Sequence, residues 1–126
     1  DVAERYATDT PVEAGDVVML GGIEEITKCE EAVSDAVFGV VSSSPAYLMN
    51  SEAGNNDTHP AIALTGRVPV KVRGTGKAGD RIVSAGSGEA RVAAEDEATT
   101  FNTLGRLIKD KYNEETALTE CVIGVK

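Results

Sequence analysis

The chain has 126 residues, of which 41% are hydrophobic and 26% are charged, and its formal net charge is −9. This length is typical of a single domain with one core, and the composition is neither that of a disordered segment nor that of a membrane protein. Nucleic-acid binding is not expected, because phosphate recognition requires clustered Lys and Arg side chains. No uncharged apolar stretch approaches the roughly 20 residues of a spanning helix, so no membrane partner is expected either.

The charge is unevenly distributed along the chain. Residues 1–63 carry 12 acidic and 2 basic side chains, whereas residues 64–126 carry 9 acidic and 10 basic ones. A domain with such a dipole is suited to contacts with copies of itself. The first residues lack the basic start and apolar centre of a secretory signal, so export is not expected.

Short Val- and Ile-rich runs alternate with glycines and polar turn residues, which predicts one mainly β domain over residues 1–126 with little helix. About eight or nine short strands are expected, at residues 17–20, 24–28, 37–42, 64–74, 81–84, 89–93, 103–109 and 121–125. Residues 1–7 and 93–98 are the best candidates for a turn or two of helix. Residues 51–59 read as a polar loop. The pattern suits a barrel and a sandwich equally.

The run from residue 64 to residue 74 shows the clearest alternation. One face is apolar and predicted to be core, and it consists of Val68, Val70 and Val72. The opposite face carries three cations, here called the basic ladder: Arg67, Lys71 and Arg73. Pro69 cannot donate a ladder hydrogen bond, so this strand should lie at an edge or contain a bulge there.

Two glycine motifs are interpreted as turns. Gly15-Asp16 and Gly79-Asp80 each precede a predicted strand, which indicates a repeated way of entering a strand. Residues 74–79 contain G-x-G-x-x-G, but a dinucleotide site needs a helix after that motif. A short strand is predicted there instead, so the motif is read as a turn.

The chain shows no constellation for repeated catalysis. A nucleophilic Ser or Cys needs a positioned base, and the only histidine, His59, precedes Pro60 in the polar loop. Cys29 and Cys121 are far apart and are interpreted as small buried hydrophobes. The acidic residues between positions 24 and 35 lack the spacing of a calcium loop, so no metal is expected.

Asp1 and Glu4 form the one candidate acid–base pair. They are three residues apart, so their carboxylates would share a face if the first turn were helical. A carboxylate raises the pKa of a neighbouring one, and such a pair can do acid–base work.

Three stretches carry a resemblance to a known family: residues 1–6 (DVAERY), 38–50 (FGVVSSSPAYLMN) and 63–72 (ALTGRVPVKV). They resemble a C-terminal domain of bacteriophage virion proteins, notably tail-fibre-like proteins of marine cyanophages. The same pattern is similar to the self-cleaving intramolecular chaperone domain of phage pre-neck appendage proteins. The resemblance spans most of the chain and is strongest between residues 37 and 74.

The resemblance implies a trimeric β domain that aligns three fibre chains and is then cut off just before an Asp. Asp1 would follow the scissile bond and Glu4 would act as acid or base, with ATP as an aid rather than a required cofactor. The basic ladder (Arg67, Lys71 and Arg73) would contact the acidic side of the next subunit. The domain would belong to the virion, assembled in the cytoplasm of the bacterial host, with the upstream fibre chain or other virion proteins as partners.

Two alternatives stay open at this point. One is a permanent capsid or tail decoration protein that is never cleaved. The other is a carbohydrate-binding fibre tip, which is the weakest because sugar sites rely on aromatic platforms and the chain has two Phe, three Tyr and no Trp.

Overall fold

The computed structural model describes residues 1–126 as ten β-strands without any helix. The strands are β1 Val2–Arg5, β2 Val17–Leu20, β3 Ile26–Lys28, β4 Val37–Val41, β5 Tyr47–Met49, β6 Ala61–Arg73, β7 Arg81–Gly86, β8 Glu89–Val92, β9 Gly105–Leu107 and β10 Ala117–Ile123. Eight of them overlap predicted strands, and the mainly β fold class is confirmed. The structure contains no helix capable of crossing a membrane.

Five strands close into a barrel in the order β6, β10, β9, β7, β8 and back to β6. The closing β6–β8 contact is parallel and short, whereas the other four contacts are antiparallel. Gly105 of β9 is opposite Ile123 of β10 on one side and Ile82 of β7 on the other. A side chain at Gly105 would collide with the carbonyl oxygen of Val122. The closed circuit decides between the two predicted architectures in favour of a barrel.

Strand β6 is 13 residues long and belongs to two parts of the fold. Its second half, from Gly66, pairs with β10 in the barrel. Its first half pairs with β1 and β4 outside the barrel. Strand β2 pairs with the other edge of β4, and β3 pairs with β2. Strand β5 pairs with the other edge of β1. We call these five strands the outer sheet.

The core follows the alternation that the sequence shows. Val68, Val70 and Val72 are at most 1% exposed, which confirms the predicted apolar face of β6. They belong to a cluster of 13 buried residues that also contains both cysteines. The cysteines are free thiols, as predicted for small buried hydrophobes. A smaller cluster consists of Val18, Ile26 and Val41 of the outer sheet and Ile62 of β6.

Both predicted helical turns are wrong. Residues Val2–Arg5 form strand β1, because β5 pairs with one of its edges and β6 with the other, and this tertiary pairing outweighs weak helical periodicity. Residues 93–98 form a turn in which Asp96 has a φ of 63°, a left-handed value that a right-handed helix does not contain. Strand β5 was not predicted, because its three residues follow directly on a Ser- and Pro-rich turn.

The prediction for Pro69 is confirmed as a local edge. Pro69 is opposite Glu120 of β10, and no strand pairs with β6 at this residue on the other side. The backbone N–H of Lys71, two residues on, points away from β10 and donates to Gly15 O (3.0 Å). The nitrogen of Pro69 faces that same unpaired side, so proline removes no ladder hydrogen bond.

The two Gly-Asp segments that precede strands β2 and β7 form the same kind of turn. Asp16 N–H donates to Glu13 O and Asp80 N–H donates to Lys77 O, each at 3.0 Å. The Asp16 side chain accepts from the backbone N–H of Glu13, and the Asp80 side chain accepts from that of Lys77, each at 2.9 Å. The glycine before each Asp has a positive φ, 90° at Gly15 and 93° at Gly79, which is the conformation that glycine adopts without strain.

Candidate functional site

Asp1 lies against the outer sheet at the start of β1. Its carbonyl oxygen accepts hydrogen bonds from Ala46 N (2.9 Å) and Tyr47 N (3.4 Å), and its Oδ2 accepts from the hydroxyl of Ser42 (2.9 Å). Its Oδ1 is buried and has no hydrogen-bond partner. A buried carboxylate oxygen without a partner carries a desolvation cost, and a catalytic role is one of the explanations for such a group.

Gly66 explains how the backbone of β6 accommodates Asp1. Gly66 has a φ of 104°, and a Cβ at this position would lie 3.2 Å from the Cα of Asp1. The bulge between Val2 and Ala3 in the β1–β6 pairing lies beside it. The structure therefore builds the surroundings of Asp1 from three separate segments: the Ser42 turn, the start of β5 and Gly66.

The shared-face argument for Asp1 and Glu4 depended on a helical first turn. That premise is wrong, because Val2–Arg5 form strand β1, with a bulge between Val2 and Ala3. Glu4 lies beside Tyr6. Burial raises the pKa of the Tyr6 phenol, and the hydrogen bond to Glu4 and the negative charge of Glu4 raise this pKa further. The Tyr6 ring packs edge-to-face on Phe38 with centroids 5.1 Å apart. A role of Asp1 and Glu4 in cleavage stays a prediction.

All three cations of the basic ladder have partners within the chain. Arg67 lies 3.5 Å from Glu120, and Arg73 Nε donates to Glu89 at 2.8 Å. Lys71 donates to Asp16 at 2.7 Å and also pairs with Glu13. Arg67 is the most exposed of the three, with 62% of its side chain accessible. The inter-subunit role predicted for the basic ladder stays a prediction. Arg67 has the guanidinium group that is most accessible to another chain.

Asp16 is a structural residue that the sequence did not single out for its chemistry. Its side chain is 1% exposed; Oδ1 accepts from Lys71, and Oδ2 lies 3.9 Å from Lys28 Nζ. Burial acts to lower the pKa of Lys71, but its hydrogen bonds to Asp16 and Glu13 outweigh this and raise it. The hydrogen bond from Lys71 in turn lowers the pKa of Glu13. The repeated Gly-Asp turn was the signal that could have marked Asp16.

The G-x-G-x-x-G stretch forms a turn leading into β7, which confirms that interpretation. It packs against the segment that follows β9, where Gly76 and Lys111 exchange two backbone hydrogen bonds of 3.0 and 2.8 Å. Lys111 is only 6% exposed, and its ammonium group donates to four oxygens in this region. Tyr112, the next residue, is 82% exposed.

Comparison with known proteins shows similarity of fold to solved structures. The chain is an all-β barrel protein with an attached outer sheet, and neither a family model nor a curated protein sequence matches it. It is similar in structure to the C-terminal fragment of gene product 12 of bacteriophage phi29. The TM-score is 0.69 at 15% sequence identity, and the match covers 100% of both chains. At this identity the similarity establishes a common fold.

Proposed function

We propose that this chain is a virion domain of a phage appendage or tail-fibre protein, which acts as a C-terminal trimerisation and folding module. The observation that carries the proposal is the full-length match in fold to a C-terminal fragment of a phage protein. The resemblance of residues 1–6, 38–50 and 63–72 to phage virion proteins supports it independently. Such a module would raise the local concentration of three chains before a slowly folding fibre forms.

Release by a single cut before Asp1 is the second part of the proposal. The buried, unpartnered Oδ1 of Asp1 supports it, since it is an acceptor that nothing in the folded chain satisfies. The hydrogen bond from Ser42 fixes the other carboxylate oxygen and so orients the group. A carboxylate held in this way can take or deliver a proton at an adjacent peptide bond. Glu4 and ATP enter the proposal from the resemblance alone.

The test of cleavage is expression of a chain that extends upstream of Asp1. We expect a fragment starting at Asp1 in the wild type, with less of it in Ser42→Ala and none in Glu4→Gln, while the exposed Glu52→Gln serves as the matched control. N-terminal sequencing and intact mass identify the product, with and without magnesium ATP. A wild-type chain that stays whole under every condition would refute cleavage and would favour the permanent virion component.

The test of assembly is the mass of the chain in solution at micromolar concentration. We expect a trimer, weakened by Arg67→Ala, because Arg67 is exposed and bonded only at 3.5 Å within its own chain. Arg73→Ala is the matched control on the same face, since Arg73 is held by Glu89 at 2.8 Å. A stable monomer would remove the trimerisation argument, and equal effects of the two variants would reject the proposed interface.

A further inference from the structure

Tyr112 is an exposed aromatic ring that the fold holds in place. Its ring contributes little to the core, since 82% of the residue is accessible. Its hydroxyl donates to Asp110 Oδ2 at 3.0 Å, and Asp110 Oδ1 accepts from the backbone N–H of Ala78 at 2.7 Å. The hydrogen bond to Asp110, together with its charge, raises the pKa of the Tyr112 phenol. A ring fixed at its hydroxyl loses little freedom when it binds a ligand.

Lys111 fixes the backbone on which Tyr112 sits. Its buried ammonium group donates to Gly74 O (2.8 Å), Asn113 O (2.7 Å) and Glu115 O (2.6 Å). It also donates to the side-chain oxygen of Asn113 at 3.1 Å. A buried lysine without a carboxylate partner is uncommon in proteins. Here its hydrogen bonds connect Gly74, which follows β6, to residues 113–115, which follow Tyr112.

Two surface concavities have Tyr112 as a shared wall. The first has a volume of about 400 Å³, and its walls include Thr75, Lys77 and Asp80. The second has a volume of about 360 Å³, and its walls include Lys109, Asn113 and Glu120. Charges of both signs therefore surround the ring. Such walls can both donate to and accept from a ligand, and they do not favour a polyanion.

We propose that Tyr112 is a stacking platform for a neutral oligosaccharide, a binding activity beyond the function proposed above. A sugar ring has an apolar C–H face that packs on an aromatic ring and a rim of hydroxyls that need donors and acceptors. The Tyr112 ring supplies the first, and the two concavities supply the second. Because two separate concavities share Tyr112 as a wall, a chain of several sugar units can occupy more of this surface than a single unit.

The experiment is an NMR titration of the whole chain with three separate probes: maltohexaose, cellohexaose and chitohexaose. We expect at least one probe, at up to about 10 mM, to shift backbone amide signals of the turn at Lys77 and of residues 110–113. Tyr112→Ala should weaken that binding about tenfold or more. Phe101→Ala is the matched control, because Phe101 is 73% exposed and lines neither concavity.

Two further variants separate stacking from other causes. Tyr112→Phe keeps the ring, so binding should fall much less than in Tyr112→Ala. Asp110→Asn should lower the pKa of Tyr112 towards its ordinary value of 10.0, measured by ultraviolet absorbance, and should weaken binding through a less fixed ring. No shift with any of the three probes, or equal losses in Tyr112→Ala and Phe101→Ala, would overturn the proposal.

Discussion

Replacement of Lys71 by Met would leave the buried carboxylate of Asp16 with one distant cation, Lys28 at 3.9 Å. Methionine keeps most of the volume of the Lys71 side chain, so the change removes charge and hydrogen bonding rather than packing. Breaking a buried ion pair costs about 3–5 kcal/mol. Lys71 itself is 22% exposed, and solvent and Lys28 offset part of this cost. We therefore expect a loss of about 2–3 kcal/mol in the free energy of unfolding.

The measurement is urea denaturation of Lys71→Met, Asp16→Asn and the double variant. Asp16→Asn should cost less than Lys71→Met, because the amide oxygen can still accept from Glu13 N–H and the freed Lys71 can keep Glu13 as its partner. Arg67→Met, on the same face, is the control and should cost no more than about 1 kcal/mol, since its pair with Glu120 is exposed. Additive effects of the two single changes within about 0.5 kcal/mol would refute the reasoning.

Two other groups give predictions that depend on pH and burial. Hydrogen bonds from Arg91 hold the folded-state pKa of Glu97 at about 2, below its ordinary 4.5, so its contribution to stability is present above pH 4.5 and lost as the pH falls through about 2. The stability difference between wild type and Glu97→Gln should shrink over that range, with the exposed Glu95→Gln as control; a difference independent of pH would contradict this. Burial raises the pKa of Cys121 to about 12, and Cys29 is fully buried, so a thiol reagent should label both only as the chain unfolds. Rapid labelling of the folded chain, detected by mass spectrometry, would be evidence against this burial.

The sequence predicted those strands whose signal is local. The alternation of Val68, Val70 and Val72 with the basic ladder is visible within a few residues, and β6 follows it. Strand β1 was assigned to a helix because its four residues have no strong pattern of their own and are held by β5 and β6 from both edges. Closure of the barrel could not be predicted from the sequence either, because it depends on a two-residue parallel contact between β6 and β8.

The candidate sites were predictable only in part, for the same reason. The sequence paired Asp1 with Glu4, whereas the side chain that contacts the Asp1 carboxylate in the structure is Ser42, which is 41 residues away. The basic ladder was identified as a row of cations, whereas the carboxylates that neutralise it come from the segment before β2 and from β8 and β10. Tyr112 carried no signal in the sequence, since exposure and an anchored hydroxyl are properties of the folded chain alone.

Because β6 belongs to both the barrel and the outer sheet, the order in which the strands fold affects the surroundings of Asp1. Gly66, against which Asp1 rests, is paired with Ile123 of β10, the last strand of the chain. The surroundings of the first residue are therefore finished only when the last strand has added to the barrel. Any reaction at Asp1 would act as a checkpoint on completed folding, and a partly folded chain would be spared. By the same sharing of β6, barrel and outer sheet should melt as one cooperative unit.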